Sequence, residues 1–371
     1  MKKMNIAICE PECTGFQHEE VNAGILKIIS ESNCSKLFLF SEKEHSQIIK
    51  NIYQKRLNKK IEINHFDVDL PFGKNFELIR YYLFTKYIYS ELIKLDIQKI
   101  YFTSINSKLL IAINILLPKY STINTSIFLH GILDQLNYTL SSKLKKNIFW
   151  FGRIFKKSNN NIKYYVLSNH IREKLLDFEI GEKKISVLNH PYIWNNLLKV
   201  KKYPRHVTKI CCIGSMHKDK GKYNLRKIIT ELIDMQNDFE ISIFGYYRYK
   251  IKDPRIKIYD RRFTRSEFDN YIPQYDFVLL PYEKKSYQLK VSGAFFDALN
   301  YEIPIITINN PFTKHFFNVL GDIGIILDSN EELIQYLKKI IISINKKKQG
   351  NMKAQIKLAK IILSQSMSIN N

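Results

Sequence analysis

Two series of short apolar runs, each run set apart from the next by a helix-length segment, constrain the fold of this chain more than any other feature of its sequence. The first series is NIAICE (5–10), KLFLFSE (36–42), IEINHFDV (61–68), KIYFTS (99–104), TSIFLHG (125–131), IKYYVLS (162–168) and ISVLNHP (185–191). The second is KICCIGS (209–215), ISIFG (241–245), IKIY (256–259), FVLLPY (277–282), PIITI (304–308) and GIILD (324–328). Runs without polar alternation are strands covered on both faces, and strands that return after a crossover helix build a parallel sheet. With 371 residues there is material for two such cores, so the expected fold is α/β with two doubly wound, Rossmann-like domains. The polar, basic segment 194–206 separates the series, which gives domains over 1–195 and 196–345. The stretch 346–371 starts with a lysine run and regains an amphipathic pattern, as a C-terminal helix does. Ligands of open sheets bind beyond the carboxyl ends of the strands, so two such domains facing each other enclose a cleft suited to two substrates.

Two strand-to-helix turns in the second series have the chemistry of an anion site. Residues 277–306 read as an apolar strand, a basic loop, a Ser-Gly turn, a helix and another strand. A helix that opens at Ser292-Gly293 directs unpaired N–H groups and the positive end of its dipole into the loop that carries Lys284, Lys285 and Lys290. A diphosphate fits that description, as does a plain serine-capped helix beside solvated lysines. In IGSMHKDKGKYNL (213–225), Gly214 and Gly221 give the backbone access to a ligand, and Lys218 and Lys220 can meet phosphate oxygens.

The order Pro-Tyr, Tyr, basic residue, Ser-Gly, two aromatics, Asp-Ala-Leu and Pro over 277–306 resembles the donor-binding segment of GT-B glycosyltransferases, especially those related to family 4. A looser likeness extends over most of the chain. In that family a glutamate precedes the Ala, another stands eight positions earlier, and a Gly precedes the Pro. Here these places hold Asp297, Leu289 and Glu302-Ile303. The resemblance implies that Asp297 binds the nucleotide ribose, and it leaves the donor sugar without the earlier carboxylate. A subgroup with a Tyr-x-x-basic-x-Ser-Gly loop is closer, represented by Tyr287, Lys290, Ser292 and Gly293. Lys220-Gly221 is similar to the Lys-Gly that binds the donor pyrophosphate, while the arginine that accompanies it is missing near Ser215-Met216 and Lys218 stands in its stead. The loops with Gly245, Tyr246 and Tyr247, and with Arg261 and Arg262, correspond to those that flank the base and the sugar.

In the first series, Glu10, Glu12, Gly15 and His18 surround the turn after the first strand, where GT-B enzymes place a glycine-rich loop. Acidic side chains repel a diphosphate, so this loop is expected to serve the acceptor, with Glu10 or His18 able to deprotonate its hydroxyl in an inverting reaction. Turn capping is the structural alternative for both. His130, at the end of TSIFLHG, can donate to a sugar hydroxyl or shuttle a proton. His130-Gly131 also resembles the family pattern whose histidine approaches the donor sugar, with Asp134 one helical turn beyond to orient it.

The chain carries 58 Lys and Arg against 35 Asp and Glu, a formal charge of +23, which favours phosphates, nucleotides, nucleic acid or an anionic membrane surface. No RNA-binding motif accompanies that charge, so no nucleic acid is expected, although a basic nucleic-acid-binding protein remains a rival class. Five cysteines, odd in number and mostly inside apolar runs, fit reduced core residues. No apolar run approaches the roughly 20 residues of a spanning helix. Segment 143–157 combines six basic residues with Ile148, Phe149, Trp150, Phe151, Ile154 and Phe155, the composition of a helix lying on an anionic bilayer or of a buried edge helix with snorkelling lysines. Segment 75–94 shares that character. The resemblance implies a cytoplasmic or peripheral inner-membrane enzyme using a nucleotide-sugar donor and a saccharide or lipid-linked saccharide acceptor in bacterial surface-polysaccharide synthesis. It implies no cofactor and no metal, because lysines and a helix dipole offset charge on the leaving diphosphate. An inactive GT-B scaffold that binds sugars or partners is the other rival.

Overall fold

The computed structural model describes residues 3–71, 76–137, 150–178, 181–196 and 207–365. They form two compact units, which part between Ile193 and Trp194. The first contains β1 (Met4–Cys9), α1 (Glu19–Ser30), β2 (Cys34–Ser41), α2 (Lys43–Leu57), β3 (Asn64–Asp67), α3 (Glu77–Lys94), β4 (Lys99–Phe102), α4 (Ser107–Leu116), β5 (Asn124–Phe128), α5 (Phe151–Lys156), β6 (Ile162–Val166), α6 (Asn169–Leu176) and β7 (Ile185–Val187). The second contains β8 (Thr208–Ile213), α7 (Lys222–Ile233), β9 (Phe239–Phe244), β10 (Ile256–Tyr259), α8 (Arg265–Tyr271), β11 (Phe277–Leu280), α9 (Gly293–Asn300), β12 (Ile305–Ile308), α10 (Pro311–Leu320), β13 (Gly324–Leu327), α11 (Asn330–Ile342) and α12 (Lys346–Gln365). Each apolar run of both series is a strand.

The first sheet has the order β3-β2-β1-β4-β5-β6-β7 and the second β10-β9-β8-β11-β12-β13, with every pairing parallel. In both, the strand order reverses beside the first strand, between β1 and β4 and between β8 and β11. That reversal opens a crevice at the carboxyl end of the sheet. The runs are apolar because helices cover both faces: Ala7 and Cys9 in β1, and Ile210, Cys211 and Cys212 in β8, have no solvent exposure. Cys9, Cys13, Cys211 and Cys212 are buried free thiols and Cys34 is half-buried.

Close packing fixes the end of the first unit. A Cβ on Gly24 of α1 would stand 2.5 Å from the carbonyl carbon of Pro191, just after β7. Arg56 of α2 makes a buried, two-pronged ion pair with Glu20 of α1 and donates to the Ile193 carbonyl at 2.7 Å. In the second unit α12 packs on α9 and α10, with Gln355 Nε2 donating to the Leu320 carbonyl at 2.6 Å.

Of segment 143–157, residues 143–149 lie outside the described residues, as do 197–206 of the linker and 366–371 of the tail. The surface-lying reading does not hold for the described part. Phe151 and Phe155 are buried and stacked at 5.3 Å, and Phe155 meets the Tyr164 ring edge-on at 4.6 Å. Thus α5 is a buried edge helix whose aromatic residues belong to the core. No described helix is long and apolar enough to cross a membrane.

Candidate functional site

The candidate residues of the second unit gather at its β8/β11 reversal. The chain leaves β8 through Gly214, at φ +86°, and leaves β9 through Gly245, at φ +141°. A Cβ on Gly245 would lie 2.5 Å from the Gly214 carbonyl carbon, so these two loops pass backbone to backbone. A Cβ on Gly214 would lie 2.9 Å from Lys220 Nζ, so the ammonium occupies the space that this glycine leaves. Gly221, at φ +79°, is required for another reason: its Cβ would overlap the Pro281 carbonyl oxygen at 1.5 Å, where α7 starts beneath the end of β11. Lys220 is half-buried, and its ammonium makes no hydrogen bond or ion pair among the described residues. Burial pulls its pKa down, the Asp297 carboxylate opposes that shift, and Lys290 adds to it. Lys218 lies exposed in solvent.

From β11, Tyr282 and Tyr287 form a buried wall with rings 4.4 Å apart, the latter in left-handed backbone at φ 59°. Ser292 shares a 2.5 Å hydrogen bond with the Tyr282 hydroxyl rather than capping α9. The amides of Gly293 and Ala294 consequently make no hydrogen bond among the described residues, and a Cβ on Gly293 would meet nothing within 4 Å. Lys290 pairs with Asp219 at 2.9 Å and lies 5.2 Å from the Tyr287 ring centre. Asp297 is buried and accepts from Arg265 at 2.7 Å. Arg265 opens α8, whose Thr264-Glu267 capping box fixes its start. Leu289 is buried. Tyr246 is exposed and Tyr247 buried, while Arg261 pairs with Glu267 at 2.7 Å. Four cations, Lys218, Lys220, Lys290 and Arg265, thus stand against two carboxylates, Asp219 and Asp297. An uncapped helix start completes an environment for a phosphorylated anion.

The candidates of the first unit gather at its own reversal, between β1 and β4. Glu10 is buried, and its carboxylate accepts five hydrogen bonds: from the amides of Glu12 (2.8 Å) and Cys13 (3.0 Å), from Ser104 and Thr103 (2.5 Å each), and from Asn22 Nδ2 (2.9 Å). Burial alone raises its pKa, but the bonds from Ser104, Thr103 and the Glu12 amide, with His45 nearby, hold it below the ordinary value. A charged, enclosed and saturated carboxylate is a tie between loops, so Glu10 is corrected from a base to an organiser of this turn. Glu12, two residues on, is different. It is half-buried, one oxygen accepts from Asn106 Nδ2, and burial followed by the Glu10 charge raises its pKa to about 7. Asn106 is fixed in turn, capping α4 through the amides of Lys108 (2.9 Å) and Leu109 (3.0 Å).

Gly15, at φ +51°, ties the loop to α2: its carbonyl accepts from His45 Nδ1 at 2.7 Å and its amide donates to Glu42 at 3.2 Å. His18 follows at φ 49°, and its ring meets His130 edge-on at 4.3 Å. The His130 pKa is well below its ordinary value through burial, then the charges of His18 and His190. Burial also lowers His18, with Glu10 opposing and His45 adding, and brings His190 to about 3. The rings at these positions are neutral near pH 7, and the lowered values make His130 and His190 weak bases there. Asp134 falls in the 3-10 turn Leu133–Asn137. Sequence reasoning named His18 and His130 separately and missed His190, although its place at the end of ISVLNHP repeats that of His130 in TSIFLHG. It also missed Arg265 and Asp219, whose partners lie 32 and 71 residues away.

No known family's sequence profile and no curated protein matches this chain. Solved structures do. A glycosyltransferase from Rickettsia africae ESF-5 is 15% identical with TM-score 0.67, over 99% of this chain and 95% of its own. The lipopolysaccharide outer core galactosyltransferase WaaB in its apo form is 13% identical with TM-score 0.59, over 98% of each chain. The UDP-GlcNAc 2-epimerase of Methanocaldococcus jannaschii is 14% identical with TM-score 0.52, over 97% of this chain and 100% of its own. With its two parallel sheets and these neighbours, the chain has the two-domain α/β GT-B fold.

Proposed function

We propose that this protein transfers a sugar from a nucleotide-sugar donor to a saccharide acceptor. One observation carries the reading: the Lys220 ammonium lies half-buried without a partner among the described residues, at a strand-order reversal whose neighbouring helix, α9, starts without a side-chain cap. A buried charge left without a counterpart is costly unless a ligand supplies one. The donor diphosphate is assigned to Lys220 and the Gly293 and Ala294 amides, with Lys290 and Lys218 beside it and Asp297 toward the ribose. Gly214 makes room for the Lys220 ammonium, Gly245 lets the two loops meet backbone to backbone, and Tyr287 and Ser292 set the wall. These cations and the α9 dipole oppose charge developing on the leaving diphosphate, so the reaction is assigned no metal.

The acceptor is assigned to the first unit, at the loop from Glu12 to His18 and at His130. Glu12, rather than Glu10, can exchange a proton near neutral pH, and the neutral His18 and His130 rings beside it can hydrogen-bond sugar hydroxyls. On the resemblance of 277–306, with a neighbour named for the lipopolysaccharide outer core, the acceptor is proposed to be a lipid-linked saccharide of bacterial surface-polysaccharide synthesis. The enzyme is then a hexosyl or related transferase on the inner face of the cytoplasmic membrane. One observation favours a second reading, binding without turnover: a buried leucine, Leu289, stands where the resemblance places a carboxylate.

Thermal-shift titration of the full chain with UDP, GDP, ADP, CMP, dTDP and their sugar conjugates tests the donor site. Stabilisation by one nucleotide class, lost in Lys220→Ala, is expected. No stabilisation by any nucleotide would overturn the assignment, and stabilisation without sugar transfer or donor hydrolysis would select the second reading.

A further inference from the structure

On α3 the side turned to solvent is the side a soluble helix normally buries. Phe76 is 77% exposed, Ile79 55%, Leu83 57% and Tyr87 44%, and Arg80 and Lys86 are exposed among them. Phe76 precedes the first turn, and at about 100° per residue the five helical positions Ile79, Arg80, Leu83, Lys86 and Tyr87 fall within an arc of roughly 120°. The opposite side of the same helix, with Tyr81, Phe84, Ile88 and Leu92, is fully packed into the first unit. The exposed face is therefore surplus to the fold.

We infer that this face of α3 docks the protein on an anionic lipid bilayer, with the apolar side chains entering the headgroup boundary and Lys86 meeting lipid phosphates and carboxylates. Charge decides the occupant. No carboxylate lies within the arc: Glu77 pairs with Lys108 and Glu91 with Lys94 at its edges. The Lys86 ammonium makes no ion pair among the described residues. A second copy of the chain, pairing the same face about a two-fold axis, would set Lys86 near its counterpart, whereas an anionic surface complements it. The mixture of aromatic, aliphatic and basic side chains along one side is that of a helix lying in an interface. The formal charge of +23 draws the whole molecule the same way.

A membrane-bound acceptor is the reading that gives this docking its purpose, but vesicle binding needs neither donor nor acceptor, so each can fail alone. The test is co-flotation of the full chain with phosphatidylcholine vesicles, with and without phosphatidylserine. Wild type is expected on the anionic vesicles only, with release at about 1 M salt. Lys86→Glu should weaken binding about thirtyfold and Ile79→Ser with Leu83→Ser at least tenfold, both with unchanged melting temperature. Lys314→Glu, an equal charge change at an exposed site of α10, should stay within about threefold of wild type. Absence of vesicle binding, equal loss in the α3 and Lys314 variants, or α3 variants that instead break up a dimer of the lipid-free protein would each overturn the assignment.

Discussion

Replacing Glu12 by glutamine should stabilise the protein, and only at the upper end of the pH range. The folded carboxyl, raised from 4.5 to about 7, holds its proton across an interval in which the unfolded chain has released it. Below pH 4.5 both states are protonated and Glu12 contributes no difference. As pH rises from 4.5 to 7 the folded state loses stability relative to the unfolded, and above 7 the whole loss is present. A shift of that size corresponds to about 3 kcal/mol. Glutamine cannot titrate, and its carbonyl can still accept from Asn106. The variant should therefore match wild type near pH 4.5 and exceed it increasingly up to pH 7. For a unit of this size, about 3 kcal/mol moves a melting temperature by roughly 6–12 °C. Scanning calorimetry of both proteins between pH 5 and 8 measures the gap, using the transition that the substitution moves, since a two-unit chain need not melt in one step. The lowered pKa values of His18, His130 and His190 work in the opposite direction, their contribution being lost as pH falls below the unfolded histidine value. They are present in both proteins, so the difference isolates Glu12. A gap equal at pH 5 and pH 8 would refute a Glu12 carboxyl that titrates near neutrality.

Three further outcomes are expected. Lys220→Met should leave the unliganded protein at least as stable as wild type, because it removes a charge unpartnered among the described residues, while weakening nucleoside diphosphate binding about 10- to 100-fold by titration calorimetry. Gly221→Ala should cost about 3 kcal/mol or more in urea denaturation, since it forces a side chain into left-handed backbone and against the Pro281 carbonyl. For Arg265→Ala, Asp297→Ala and the double variant, a double-mutant cycle should give a coupling of about 2 kcal/mol, and the double variant should be more stable than additivity predicts.

Much of the fold was legible because a doubly wound sheet leaves a local record. Each buried parallel strand is a continuous apolar run, so FVLLPY and KICCIGS identify themselves without knowledge of their neighbours. Strand order was not written in any one run. Yet it is the reversal between β8 and β11 that brings Gly214 and Lys220 to the loop carrying Tyr287 and Lys290. The candidate residues were legible as types at strand ends, but their states were not. Glu10 and Glu12 look equivalent in ICEPEC, and only Thr103 and Ser104, delivered by β4, saturate one and leave the other to be raised by it. The α5 segment left two readings open because a basic-aromatic composition is shared by interfacial and edge helices. Its aromatics face Tyr164 of β6, a contact that composition does not encode.

Two charges mark the two strand reversals, and their surroundings separate structure from readiness to bind. Glu10 follows the first strand of its sheet and is met by five donors; nothing remains for a ligand to satisfy, and removing any donor leaves part of a buried anion unsolvated. Lys220 follows the first strand of the other sheet and is met by none among the described residues, in space that a glycine leaves clear. The same fold could have paired it, as it paired Lys290 with Asp219 and Arg265 with Asp297. An ammonium kept half-buried and unpaired beside two paired cations lowers the stability of the empty site and strengthens its attraction for an incoming anion. The first unit shows the reverse arrangement of charge: its loop carries Glu10 and Glu12 and would repel a diphosphate. On the proposed function, the donor is assigned to the β8/β11 reversal and the neutral, hydroxyl-rich substrate to the β1/β4 reversal, on the ground of which charges are already satisfied.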